Sequence, residues 1–148
     1  MQPQPASNYG ISVYSPGTST VPTYLQANTT YMASVWVYVP AATDVDIRLS
    51  IQGTGKATVT YPASHKTSVK DAWTRISVPF TTVASGSVTV YVLNGTATAT
   101  AGMQFWADSV MITETSTLYD FADGSTSNWT WTGTQNNSTS TGPGVASS

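Results

Sequence analysis

A chain of 148 residues is long enough for one domain with a core of its own, and 40% hydrophobic and 11% aromatic residues supply the material for it. Charged residues make up only 8%, the formal net charge is −2, and Ser and Thr together contribute roughly 30%, so solubility rests on hydroxyls and the basic footprint needed for nucleic-acid binding is missing. The absence of cysteine excludes disulfides and thiolate metal sites, no apolar run has the length of a membrane span, and the opening MQPQPASNYG lacks the basic and apolar regions of a secretory signal, which predicts a protein made in the cytoplasm.

Residues 1–8 read as a Pro/Gln-rich arm, residues 9–113 as a β-sandwich domain, and residues 114–148 as a Ser/Thr/Trp-rich tail. Residues 9–14 alternate as a short first strand, followed by a loop broken by Pro16, Gly17 and Pro22. The run 31–39, YMASVWVYV, is the least polar stretch and predicts the central strand. Its period of two puts Tyr31, Ala33, Val35, Val37 and Val39 on one face and Met32, Ser34, Trp36 and Tyr38 on the other. The aliphatic set suits the core. The second set presents aromatics either to solvent or to a covering segment.

Residues 45–52 form the cleanest amphipathic strand, with Val45, Ile47, Leu49 and Ile51 inward and Asp46, Arg48, Ser50 and Gln52 outward. A turn at Gly53-Thr-Gly55 leads to a returning strand over 56–61. Strands at 73–80 (Ile76, Val78 and Phe80 inward), 87–93 (Val88, Val90 and Val92 inward, Tyr91 outward) and 103–112 complete the set. Seven or eight regularly spaced strands without a credible helix predict an all-β antiparallel β-sandwich of the jelly-roll kind. In the tail, Phe121, Trp129 and Trp131 stand in a polar strip, and are expected to cover the sandwich or to dock on a neighbouring subunit.

Three segments carry a family resemblance: Tyr31…Ser34, Trp36-Val37; then Trp73-Thr-Arg75-Ile-Ser-Val78-Pro-Phe80-Thr81; then Phe105-Trp106-Ala-Asp108-Ser-Val110. In this order they resemble the carbohydrate-binding modules of the cellulase-associated type, families 4 and 9. The likeness implies a glycan-binding jelly roll, with Trp36 and Tyr38 on an outer face and Arg48, Gln52 and Tyr91 as flanking groups. It also places Trp73 and Trp106 in the core, with Asp108 on the same inward side. The family's first-strand glutamate has no counterpart, so Asp108 lacks its usual partner for calcium, and neither a metal nor a cofactor is expected.

The tail is similar to segments that close minor tail proteins of phages infecting actinobacteria, through Phe121-Ala-Asp123-Gly124, Trp131-Thr-Gly133-Thr134 and Ser138-Thr-Ser140. That likeness implies a virion location, made in the host cytoplasm, with other virion proteins as partners (a homo-oligomer or lattice neighbours) and host-surface polysaccharide as a further one. Neither nucleic acid nor membrane is an expected partner. No catalytic residue is expected. Seven acids are spread thinly, Asp44 and Asp46 border no aromatic cleft, and the single His65 stands in a loop without a nucleophile beside it. The expectation is a non-enzymatic surface protein of a tailed phage, as a minor tail or head decoration component. The rival expectation is the binding module of a secreted polysaccharide-degrading enzyme.

Overall fold

A computed structural model describes residues 10–14, 25–43, 46–56, 66–67, 69–94, 104–136 and 138–147. The strands are β1 (Gly10–Tyr14), β2 (Thr30–Tyr38), β3 (Ile47–Gln52), β4 (Lys66–Thr67), β5 (Trp73–Thr81), β6 (Thr89–Asn94), β7 (Trp106–Thr113), β8 (Thr130–Trp131) and β9 (Ser140–Thr141). All their pairings are antiparallel. They form one sheet in the order β1-β6-β3-β4, a second in the order β5-β2-β7, and a separate β8-β9 hairpin. No helix occurs among the described residues, and the antiparallel sandwich expected from the alternation is what forms. Val45 and residues 57–61 of the expected returning strand lie outside the described residues, as does His65.

The core is where the two inner faces meet. Val35, Val37 and Val39 from β2 and its end join Ile47, Leu49 and Ile51 from β3, Val90 and Val92 from β6, and Val78 from β5, all fully buried. β-Branched side chains dominate because they fit a pleated, half-covered surface with little rotamer freedom to lose. One end of the core is closed by Tyr31 stacked on Phe80, with ring centroids 5.6 Å apart.

The Tyr31 hydroxyl accepts a hydrogen bond from the Gln26 amide at 2.6 Å. Burial pushes the phenol above its ordinary value of 10.0; the Gln26 amide pulls the other way, and Glu114 adds to the rise. The unfolded chain therefore ionises first. The stability due to the neutral phenol is complete below about pH 10 and is lost as pH rises through the folded value. Thermal unfolding followed by circular dichroism should show a level midpoint up to that pH and a fall beyond it. Tyr31→Phe should flatten the fall, and an unchanged alkaline slope in that variant would assign the loss to another group.

β3 ends where backbone meets backbone. Gly53 has φ 108°, and a Cβ there would stand 2.1 Å from the Ser87 carbonyl oxygen. The approach is fastened by Gly55 N–H donating to Ser87 O at 2.8 Å and Val83 N–H donating to Gly55 O at 2.9 Å. Glycine is required because both the left-handed dihedral and the contact exclude a side chain.

The tail forms a lobe of its own. Asp120 N–H donates to Val145 O, Ser147 N–H to Leu118 O, and Thr132 N–H to Thr139 O, so its two halves run antiparallel. The Trp131 ring lies on Gly124 and the Trp129 ring on Gly142, close enough that a Cβ at either glycine would meet the ring at 2.4 Å. Trp129 Nε1 donates to Pro143 O at 3.1 Å. Within the chain, both tryptophans of the tail lie on the tail's own backbone. Phe121 remains 40% exposed.

Candidate functional site

Cross-strand register defines the outward face of the β5-β2-β7 sheet as four rows. They are Trp73–Tyr38–Trp106, Arg75–Trp36–Asp108, Ser77–Ser34–Met111 and Pro79–Met32–Thr113. Partners directly opposite on antiparallel strands share a face, so each row is a line of neighbouring side chains. The last two rows include Ser34, Met111 and Met32, which point outward yet are buried. At Ser34 the C-terminal lobe is tied to this face through Arg75. Arg75 Nη2 donates to Ser34 Oγ (3.0 Å) and to Tyr119 O, while Arg75 Nη1 donates to Ser147 Oγ (2.9 Å), whose hydroxyl in turn donates to Asp120 Oδ1. Burial pushes the Arg75 guanidinium below its ordinary value, with Asp120 opposing.

The first row stays open. Trp73 is 48% and Trp106 49% exposed, on either side of Tyr38. Their ring centroids stand 5.8 Å and 5.7 Å from that of Tyr38. This corrects the core placement implied by the family likeness. Trp73 is an odd-numbered residue on a strand whose even-numbered Ile76, Val78 and Phe80 face inward. At Trp106 the reason is a bulge. The β2–β7 register shifts between Ser34 and Trp36, and Ser109 takes φ 52°. Ala107 thus packs on the core along with Val110 and Ile112, while Trp106 and Asp108 turn outward. Asp108 accepts from the Ser109 amide at 2.7 Å, and among the described residues no three His, Cys, Asp or Glu gather as a metal-binding group.

Arg48, Gln52 and Tyr91 were expected to flank Trp36 and Tyr38. They do not. β3 and β6 belong to the other sheet, so these residues face the opposite side of the sandwich. There Arg48 pairs with Leu93, Ser50 with Tyr91 and Gln52 with Thr89 across adjacent strands. Arg48, Ser50, Gln52 and Leu93 line a groove of about 360 Å³ together with Ile51, Gly53 and Lys56, and Tyr91 lies outside that lining as the cross-strand neighbour of Ser50. Ser50, nearly buried at the floor, lies beneath Gln52, whose Nε2 donates to Ser50 Oγ at 3.3 Å. Half-buried Tyr91 stands next to it. Lys56 was not singled out from the sequence; its place at the groove follows from its bridge to Thr82. The groove is wide open, and polar groups supply most of its lining.

The described residues thus form a two-sheet antiparallel β-sandwich with a polar groove on one outer face and open aromatic rings on the other. A family model described as Carbohydrate binding domain, of types 4 and 9, matches residues 6–106, and the chain belongs to that family. No curated protein and no solved structure matches the chain.

Proposed function

We propose that the chain is a non-catalytic glycan-binding domain whose ligand lies in the groove on the β1-β6-β3-β4 sheet. The observation that carries the reading is the groove itself, of about 360 Å³ with Arg48, Gln52 and Lys56 on its walls and Ser50 on its floor. Two cationic side chains and an amide donate to sugar hydroxyl and ring oxygens, and Tyr91, the cross-strand neighbour of Ser50 just outside the lining, would offer a ring to a sugar that extends beyond the groove. Affinity electrophoresis in gels containing plant or bacterial cell-wall polysaccharides tests it. Gln52→Ala combined with Tyr91→Ala should weaken retardation by about tenfold or more, the equivalent of one good stacking contact and one hydrogen bond. Retardation equal to that of the unaltered protein would overturn the groove assignment.

The second part of the reading places this domain on the exterior of a tailed-phage virion, as a minor tail or head decoration component among other virion proteins. Support comes from the tail. The residues that carry its likeness to phage tail proteins are those that build the lobe: Asp123 Oδ1 accepts from Ser125 N–H, Trp131 covers Gly124, and Gly133 N–H donates to Ser138 Oγ. Adhesion would then come from many copies of a weak site. The alternative, a module cut from a secreted polysaccharide-degrading enzyme, shares the groove but gives no role to the lobe. Immunogold labelling of intact particles separates the two.

A further inference from the structure

We propose that the open aromatic row of the β5-β2-β7 sheet is a second glycan-binding site, in which pyranose rings of a neutral polysaccharide stack on Trp73, Tyr38 and Trp106. Its location is opposite the groove, and it does not depend on the groove being occupied.

Trp73 and Trp106 are roughly half exposed. Tryptophan is among the most buried side chains on average, and here two stand open on adjacent sides of one tyrosine. They are also held in place. Tyr38 meets Trp106 edge-on, at 72° between ring planes, and Trp73 at 53°. Its hydroxyl points at Asp71 Oδ1 (3.5 Å), and that carboxylate is fixed by accepting from Ala41 N–H at 2.9 Å. Asp71 N–H in turn donates to Val39 O at 2.8 Å. The rings are therefore arranged before any ligand arrives, which is where a stacking site gains affinity.

The border of the row identifies the occupant. Asp71 lies at one margin and exposed Asp108 in the next row, so the flanking groups are carboxylate acceptors. Arg75, the cation of that row, is turned to Ser34, Tyr119 and Ser147 beneath the lobe. Acceptors beside ring faces match hydroxyl donors around the apolar face of a pyranose, and disfavour an anionic polymer. The dimensions agree. Three strands spaced about 4.8 Å apart give the row a length of about 10 Å, so a sugar chain that touches all three rings runs across the strands. Sites on opposite faces of the sandwich engage two glycan chains rather than one, which raises avidity for insoluble or surface-bound polysaccharide.

Intrinsic fluorescence separates this site from the groove, whose lining contains no tryptophan. The probes are hexasaccharides of β-1,4-glucan, β-1,4-xylan and β-1,4-mannan, and fragments released from bacterial cell-wall polysaccharide. At least one should shift the emission of the unaltered protein to shorter wavelength as it covers the indoles. The shift should persist in Gln52→Ala/Tyr91→Ala and vanish in Trp73→Ala/Trp106→Ala. The latter should also bind the corresponding insoluble polysaccharide about tenfold or more weakly. Absence of a shift with every probe would overturn the proposal whether or not the groove binds. So would undiminished binding by Trp73→Ala/Trp106→Ala, or a dimer in size-exclusion chromatography that this variant dissolves, which would identify a second copy as the occupant. Because the shift is read first on the unaltered protein, a variant that fails to fold does not remove the test.

Discussion

Arg75→Met should lower the unfolding free energy by about 3 kcal/mol and free the C-terminal lobe from the sandwich. The guanidinium serves three acceptors at once: Ser34 Oγ on the sheet, Tyr119 O and Ser147 Oγ on the lobe. Hydrogen bonds involving a charged donor contribute about 1.5–3 kcal/mol each, and they are not additive where one group holds several. Methionine keeps much of the volume and leaves the nearly buried Ser34 hydroxyl and the Tyr119 carbonyl without this donor. Arg75→Lys should recover little, since an ammonium cannot reproduce the planar fork that reaches both sides. Limited proteolysis should cut the variant within residues 114–147 at protease levels that spare the unaltered protein, and denaturant melts should give the free-energy difference. A variant with unaltered stability and protease resistance would show that the lobe is held by something other than this side chain.

Gly53→Ala should cost about 3 kcal/mol or more, and with it the groove. The residue combines φ 108° with an approach in which the new methyl would lie 2.1 Å from Ser87 O. Forcing a side chain into that backbone region costs about 1–3 kcal/mol. Relieving the clash also means moving the two chains apart, which breaks the Gly55–Ser87 hydrogen bond and adds about 1 kcal/mol. For a domain of this size the loss corresponds to a fall in melting temperature of about 10 °C. Gly53 also lines the groove beside Gln52 and Lys56, so glycan retardation should weaken in parallel. Thr54→Ala, in the same turn but with an exposed side chain, should leave both measurements where they were. A stable Gly53→Ala would mean that the two loops part without penalty.

Much of the sandwich was legible in the residues alone. Val35 and Val37, Ile47 and Leu49, and Val90 and Val92 repeat with a period of two, and a strand with one apolar face has one way to bury it. The same rule turns Trp36 and Tyr38 outward, and it turns Trp73 outward as well, against the core position that the family likeness implies. The exposed side of each strand was thus readable, but its company was not. Arg48, Gln52 and Tyr91 point outward as expected, yet on the sheet opposite Tyr38, because which strands become neighbours is set by non-local pairing that no short pattern encodes. Trp106 and Asp108 were reversed by one bulged residue, Ser109, and a single inserted position inverts every alternation beyond it. The lobe followed the same division. Its tryptophans stood out in a polar strip, but that Trp131 would lie on Gly124 and Trp129 on Gly142 depended on two distant stretches of backbone coming within van der Waals reach, a contact that exists only once the chain has closed on itself.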